Sequence, residues 1–505
     1  MIAHRTAAVI VGLGPCLFAA ACLSNGGPAR SADKTEARNP QSASAPQAKR
    51  HLPILPGGHQ GFGMQTPAGS GRHLDVPRTQ IIRVTNLKAS GPGSLKAALD
   101  TEGPRTIIFE VSGNIDLRPC GTLAIRHPYV TVAGQTAPPP GITIVGGQIV
   151  MSNKTHDVLI QHIRVRVGDL LDPTRPKIDP KSGWSQWSER DNIKIGGRQV
   201  VIDHCSFSWA TDENGQSRAS EMTFQHCISS ECLASPKHHK GPHSKGLLML
   251  NQGPGEGQNL LAYGNLFAYN WDRNPTISSG TRAAIINTYV FGGHHEGRRH
   301  ARFCHTVSNA PPKPRHPGNP GHTIASIIGT HADNVSTIVR LIARERARDG
   351  QIYMADFLWT NRDRDGQPIT HHHADGWESP HNSLYKEWAG KPCDPQNSRV
   401  AEPPVVVEGL KIRPVQEVRD WVLKTAGAFP AMRGPVDARV IEQVRNRTGH
   451  IIASQNDVGG WPDLQEKRRE LVIPEDPHGD ADGDGYTNLE EWLHEYAAVV
   501  EGRAG

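Results

Sequence analysis

Two acidic pairs and one arginine are the residues of this chain best suited to chemistry. Glu189 and Asp191 precede the segment Val200–Asn214, VVIDHCSFSWATDEN, and Asp212 and Glu213 close it. Carboxylates are the hard oxygen donors of which calcium takes about six to eight, so four of them brought together would form a cation site. Arg273, in the run Trp271-Asp272-Arg273-Asn274-Pro275, follows about sixty residues later. Whether these groups meet depends on the elements that carry them.

Those elements repeat. Cys205 lies in IDHCSFS and Cys227 in FQHCISS, two similar β-type segments in close succession. The same kind of segment recurs as VLIQHIRVRV at 158–167, LLAYGNLFAY at 260–269 and AAIINTYVFGG at 283–293. Short alternating segments at a period of roughly twenty or more residues mark a solenoid rather than a sandwich. The fold class expected is all-β, a right-handed parallel β-helix, with the stretches 168–190 and 231–258 as loops on the face where solenoids build their sites. Glu189 and Asp191 would then enter one rung and Asp212 and Glu213 leave the next, so that carboxylates of adjacent rungs converge.

These segments, with DRNP, resemble the core of the pectate lyase family. IIRVTNLKASGPGSLKAALDTEGPRTIIFEVSGNIDL at 81–117, with a short helix from Ser94 to Asp100, resembles that family's N-terminal cap and first rung, and GQTAPPPGITIVGG at 134–147 continues the likeness. It covers residues 58–300 and thins beyond. The resemblance implies β-elimination on an acidic polysaccharide: a cation binds the uronate carboxylate, a base removes the C5 proton, and positive charge holds the intermediate while the C4 oxygen leaves. It implies Ca2+ as the cofactor, with ligands at Glu189, Asp191 and Asp212. A further acidic ligand expected four residues before Asp212 is Ser208 here, and Glu213 is the candidate to replace it. It also implies Arg273 as the base, although residue chemistry alone favours lysine or histidine. An arginine gives up its proton only where neighbouring cations and burial depress its pKa. Lys245, in HSKGLL, matches the family's substrate-binding lysine, with Lys240 a second choice. Arg282 is the candidate to hold a neighbouring sugar, since the family's second arginine falls at Ser278 here.

Plainer readings stand beside these. Asp203-His204 reads as a structural hydrogen-bonding pair, Asp212-Glu213 as a solvated turn, and Arg273 as the salt-bridge partner of Asp272. The histidine runs His238-His239, His294-His295 and His371-His372-His373 come with no HExxH or paired CxxC, so polar loops explain them before zinc does.

His4 and Arg5 precede an apolar run from Ala7 to Ala21 that is too short to span a membrane but suits a signal peptide, expected as 1–21. Cys22 after it is a candidate for lipid anchoring, although Ala19 stands where such signals usually carry leucine. Residues 22–50 read as a flexible tether. The expected location is secreted, periplasmic or cell-surface, as a monomer. Of the chain's eight cysteines, six follow residue 22: Cys120, Cys205, Cys227, Cys232, Cys304 and Cys393. An even number permits disulfides, yet the repeat favours Cys205 and Cys227 as thiols of a stacked core. A net charge of +5 suits an acidic polymer, and no basic run is long enough to be a nucleic-acid patch.

The expected β-helix domain is 51–300. Residues 301–475 form a loop- and helix-rich C-terminal extension, with amphipathic helices at 415–430 and 436–449 ended by glycine. Residues 476–505 carry DADGDGYTNLEE, in which Asp480, Asp482 and Asp484 take positions 1, 3 and 5 of an EF-hand-like loop. Gly485 takes the tight turn, Tyr486 offers its carbonyl, and Asn488 and Glu491 take positions 9 and 12. A stabilising clip suits this single loop better than a sensor. Two rival functions remain on the same fold, a hydrolase and a non-catalytic polysaccharide binder. The first needs paired aspartates, and no Asp-Asp dipeptide occurs.

Overall fold

The computed structural model describes residues 52–169, 189–234, 243–292, 303–311, 318–344, 349–363 and 365–504. The signal segment, the tether, Cys22, Lys240, His238-His239 and His294-His295 lie outside the described residues. Among the described residues no helix is long and apolar enough to cross a membrane.

The chain coils as a parallel β-helix. Val130, Val158, Val200, Met222, Leu260, Ala283, Ala325 and Ile352 pair in register from rung to rung. Every one is buried. A second row, from Ile107 through Val132, Ile160, Ile202, Phe224 and Ala262 to Ile285, runs beside it. Each large side chain buried in such a row contributes about 1.5–3 kcal/mol of transfer free energy, which favours apolar residues at these positions in every rung.

The repeat around Cys205 and Cys227 is explained by a corner. His162, His204 and His226 each occupy the left-handed region, at φ 57, 47 and 50°, between two strands of a rung; Gly264 and Asn287 turn the same corner in the next two. The three imidazoles stack, with ring centroids 5.2 and 4.7 Å apart, which offsets the roughly 1–2 kcal/mol that a non-glycine residue loses there. The cysteine that follows points inward. Cys205 and Cys227 are buried free thiols, as the stacked-core reading expects, and none of the six cysteines is in a disulfide.

Nine strands among the described residues form a separate sheet, from Thr122–Ile125 through Ile193–Ile195, Glu213–Ser217, Lys245–Met249 and Thr276–Ile277 to Ser383–Leu384. All its pairings are parallel. The boundary expected at 300 is corrected by this pairing. Phe303–Asn309, Ile324–Asp333, Thr337–Ala343 and Gln351–Arg362 continue the parallel rungs, and Pro368–Asp375 then turns back antiparallel. Long insertions between these rungs hide the period in the sequence.

Both ends are covered. The short helix Leu95–Leu99, capped by Ser94, buries Leu95, Ala98 and Leu99 against the first rung, and the antiparallel hairpin closes the other end. Such covers shield apolar interior and unpaired strand edges. The helices Val415–Thr425 and Pro435–Asn446 lie along the flank, packing Val418, Val422, Val440 and Val444 on Leu266, Tyr269 and Phe291. Neither ends on a glycine: the caps are Ala426 and a left-handed Arg447. The last helix, Asn488–Glu501, starts from a Thr487–Glu490 capping box.

Candidate active site

The site lies on the nine-stranded sheet, at the start of three successive strands. Glu213 is paired in register with Lys245, and Lys245 bridges to Asp272 in the next rung. Asp191 stands two residues before Ile193, the partner of Gly215, and accepts the Glu213 backbone N–H at 2.9 Å. Asp191, Glu213, Lys245 and Asp272 thus form a row across four rungs, with Asp212 and Arg273 beside it. Strand alternation puts side chains at equivalent positions of stacked rungs on one face, so residues far apart in sequence become neighbours.

Arg273 aims its guanidinium at Glu213, forming an ion pair. Its own backbone is left-handed, φ 65°. The approach of this segment requires Gly246, since a Cβ there would meet the Arg273 carbonyl oxygen at 2.4 Å. Asp272 accepts the Arg273 backbone N–H at 2.7 Å but is not the ion-pair partner of its guanidinium. Its carboxylate takes Arg340 at 2.9 Å, Lys245 at 3.4 Å and the Thr306 hydroxyl at 3.1 Å. Asp212 is held by His243 Nε2 at 2.8 Å, which removes the reading of Asp212-Glu213 as a merely solvated turn.

The electrostatics follow from burial. Asp191 is fully buried, and burial pushes its carboxyl up to about 7; Lys194, 3.4 Å away, pulls it back and Asp212 pushes it further up. Burial lowers Arg273 from the usual arginine value, against Asp212 and Asp191, which hold its proton on, and with Arg340, which repels it. Glu213 Oε2 is buried without a hydrogen-bond donor among the described residues. Asp212, Glu213 and His243 each bring a donor atom within 4.8 Å of the others. Three carboxylates, one with an unused buried oxygen, fit a hard divalent cation. Glu189 sits exposed two residues before Asp191.

The structure therefore brings together Asp191, Asp212, Glu213, Lys245 and Arg273. It does not bring Arg282 to them: Arg282 opens the strand Arg282–Ile286, which belongs to the other set of rungs. Ser208, where a further acid was expected, is buried and spans to Ser230 at 3.0 Å. Sequence reading missed His243, which strand alternation from Lys245 would have found, and Arg340, for which no local signal exists.

The C-terminal loop also gathers its acids. Asp480, Asp482 and Asp484 place donor atoms within 4.8 Å of one another, and Gly485, φ 102°, donates its N–H to Asp480 at 3.2 Å. Burial, then Asp482, Asp484 and Asp480, raise the Glu491 carboxyl above its usual value. The Asn488 side chain instead accepts the Ala481 N–H at 3.1 Å and donates to Asp476. The Tyr486 hydroxyl ties the loop to the Pro53 carbonyl at 2.6 Å.

No protein-family profile matches the chain. It is 29% identical over 453 residues, 88% of this chain and 87% of the relative, to a probable pectate lyase C of Aspergillus fumigatus. A probable pectate lyase C of Emericella nidulans is 33% identical over 239 residues, 47% of this chain and 48% of the relative. Among solved structures, a pectate lyase from Paenibacillus sp. 0602 is 15% identical, covers 71% of this chain and 93% of its own, and superposes with a TM-score of 0.45.

Proposed function

We propose that this chain is a pectate lyase-like polysaccharide lyase that cleaves pectate by β-elimination, and we assign the residues of the nine-stranded sheet from that premise. The observation that carries it is the row Asp191–Glu213–Lys245–Asp272 with Arg273 beside it. It supplies, on one face of one sheet, the acids, the fixed cation and the depressed arginine that the reaction requires.

Arg273 is the base. Its guanidine must shed a proton, and burial together with Arg340 already favours the neutral form. The acids Asp191, Asp212 and Glu213 oppose this by holding the proton on. A calcium ion held by Asp191, Asp212 and Glu213, with Glu189 at the margin, would bind the uronate carboxylate, acidify the C5 proton and cancel the negative charge now resting on Arg273. Lys245, fixed by Asp272, meets a substrate carboxylate or the charge that develops as the C5 proton leaves. Lys240 is a second lysine for the substrate. The loop Asp480–Glu491 takes a second calcium as a clip, with Asp480, Asp482, Asp484, the Tyr486 carbonyl and Glu491 as ligands; Asn488 would have to release Ala481 to join them. Export through residues 1–21, with or without lipid on Cys22, would bring the protein to a polymer outside the cell.

The test is the ultraviolet absorbance of the C4–C5 double bond formed on polygalacturonate, with and without chelator. Growth of reducing ends without this chromophore would make the chain a hydrolase. Binding without either product would make it a non-catalytic solenoid.

A further inference from the structure

The closing hairpin carries a cluster that the lyase reaction does not use. His371 and His373 are alternate residues of the strand Pro368–Asp375, so they share a face; they stand opposite Trp359 and Phe357. His381 comes from the turn after Gly376–Glu378 and lies flat on Trp359, ring centroids 3.8 Å apart at 11°. His371 Nδ1 is 3.0 Å from His381 Nε2, and one donor nitrogen from each of the three histidines lies within 4.8 Å of the others. His373 Nε2 is shielded from solvent and has no hydrogen-bond partner among the described residues. His372, between them, takes Asp356 at 2.8 Å.

Among the described residues no carboxylate joins this trio. Burial, then the neighbouring imidazoles, lower His381 to about 4 and lower His373 as well. Near neutral pH both therefore present lone pairs rather than charge. The buried quartet His162, Asp203, His204 and Glu501 is a useful contrast. There His204 pairs with Asp203 at 2.9 Å and His162 with Glu501 at 3.3 Å, while Gln161 and Gln225 also donate to Asp203. In that cluster each carboxylate faces an imidazole.

We propose that His371, His373 and His381 form a site for a zinc-class divalent cation, which fastens the terminal hairpin to the segment leading into the last strand of the nine-stranded sheet, Ser383–Leu384. Two histidines on one strand face and a third from a following turn supply three nitrogen ligands, and water completes a tetrahedral set. The cation would lock the end of the solenoid, where the antiparallel strand has no further rung to stack on.

The test uses the full chain, freed of metal by chelator and returned to millimolar calcium so that the oxygen-rich sites are filled. Titration with Co2+ is expected to develop the visible absorption of tetrahedral cobalt to a single equivalent, quench Trp359, and reverse on adding Zn2+. His373→Gln and His371→Ala should abolish the band, whereas His372→Ala and His162→Ala should leave it intact. Absence of a stoichiometric band, its survival in the His371→Ala/His373→Gln double variant, or its loss in His162→Ala would each overturn the assignment. Circular dichroism of each variant separates loss of the site from loss of the fold.

Discussion

Two of the buried groups of acids and arginines among the described residues are built to opposite ends. On the flank, Asp437 accepts from Arg166 at 2.7 Å, Arg164 at 3.2 Å and Ser206 at 2.8 Å. Burial would raise its carboxyl, but the two guanidiniums and the hydroxyl prevail and hold it below the usual range. On the nine-stranded sheet, Asp191 is as deeply buried, yet it has one backbone donor and a lysine at 3.4 Å, and its carboxyl rises to about 7. The first group is closed and serves to anchor the helix Pro435–Asn446 to the rungs. The second is left short of donors, the state in which a site retains affinity for an external cation.

The largest effect expected falls on the second group. Arg273→Ala and Arg273→Lys should keep the fold and lose more than about 10³-fold of elimination activity, as removal of the proposed proton acceptor requires. Near-normal turnover of Arg273→Ala would remove it as the base.

Asp437→Ala should act on stability. It leaves Arg164 and Arg166 buried without their shared partner, at a cost of about 3–5 kcal/mol, read from urea unfolding. A loss as small as that of a surface change would mean that the flank group is not closed after all.

Asp191→Asn should sharpen the contrast. In wild-type protein without calcium, the raised carboxyl binds a proton in the folded state that the unfolded chain has already lost. Its stabilising contribution is therefore full below about pH 4 and is lost as pH rises toward about 7. Asp437, held low, behaves in the opposite sense: its contribution is present above the unfolded value and lost as pH falls through the folded one. Melting temperature against pH in chelator should show the first slope in the wild type and not in Asp191→Asn, which should also need more calcium for half activity. With Arg273 as the proposed base, activity in saturating calcium should rise on the alkaline side, since only its neutral guanidine could take the C5 proton.

The smallest effect belongs to the terminal loop. Asp482→Ala should lower the melting temperature in calcium by a few degrees through lost ligand linkage, on the order of 1–2 kcal/mol, and leave the pH–rate profile unmoved. An unchanged melting curve would remove the clip.

Much of the site was legible because its members start successive rungs. Asp191, Asp212 and Glu213 flank a β-type segment whose period is visible, whereas Lys245 and Arg273 came from the family resemblance alone: the stretch 231–258 expected as a loop holds the strand Lys245–Met249 that carries Lys245. The sequence by itself determined the solenoid, since apolar residues at a repeating position can only be buried by stacking. It also determined the inward cysteines and the acids that converge from adjacent rungs. The tertiary structure alone decided which partner each charge takes. Arg273 reaches Glu213 rather than its neighbour Asp272, because Asp272 is claimed by Lys245 and by Arg340 from a distant rung. It alone decided that rungs continue past 300, that Asp437 is sealed, and that His371 and His373 meet His381. The physical reason is common to all of these. Pairing in a solenoid depends on which strand stacks on which, and insertions of unequal length erase that order from the spacing of residues along the chain.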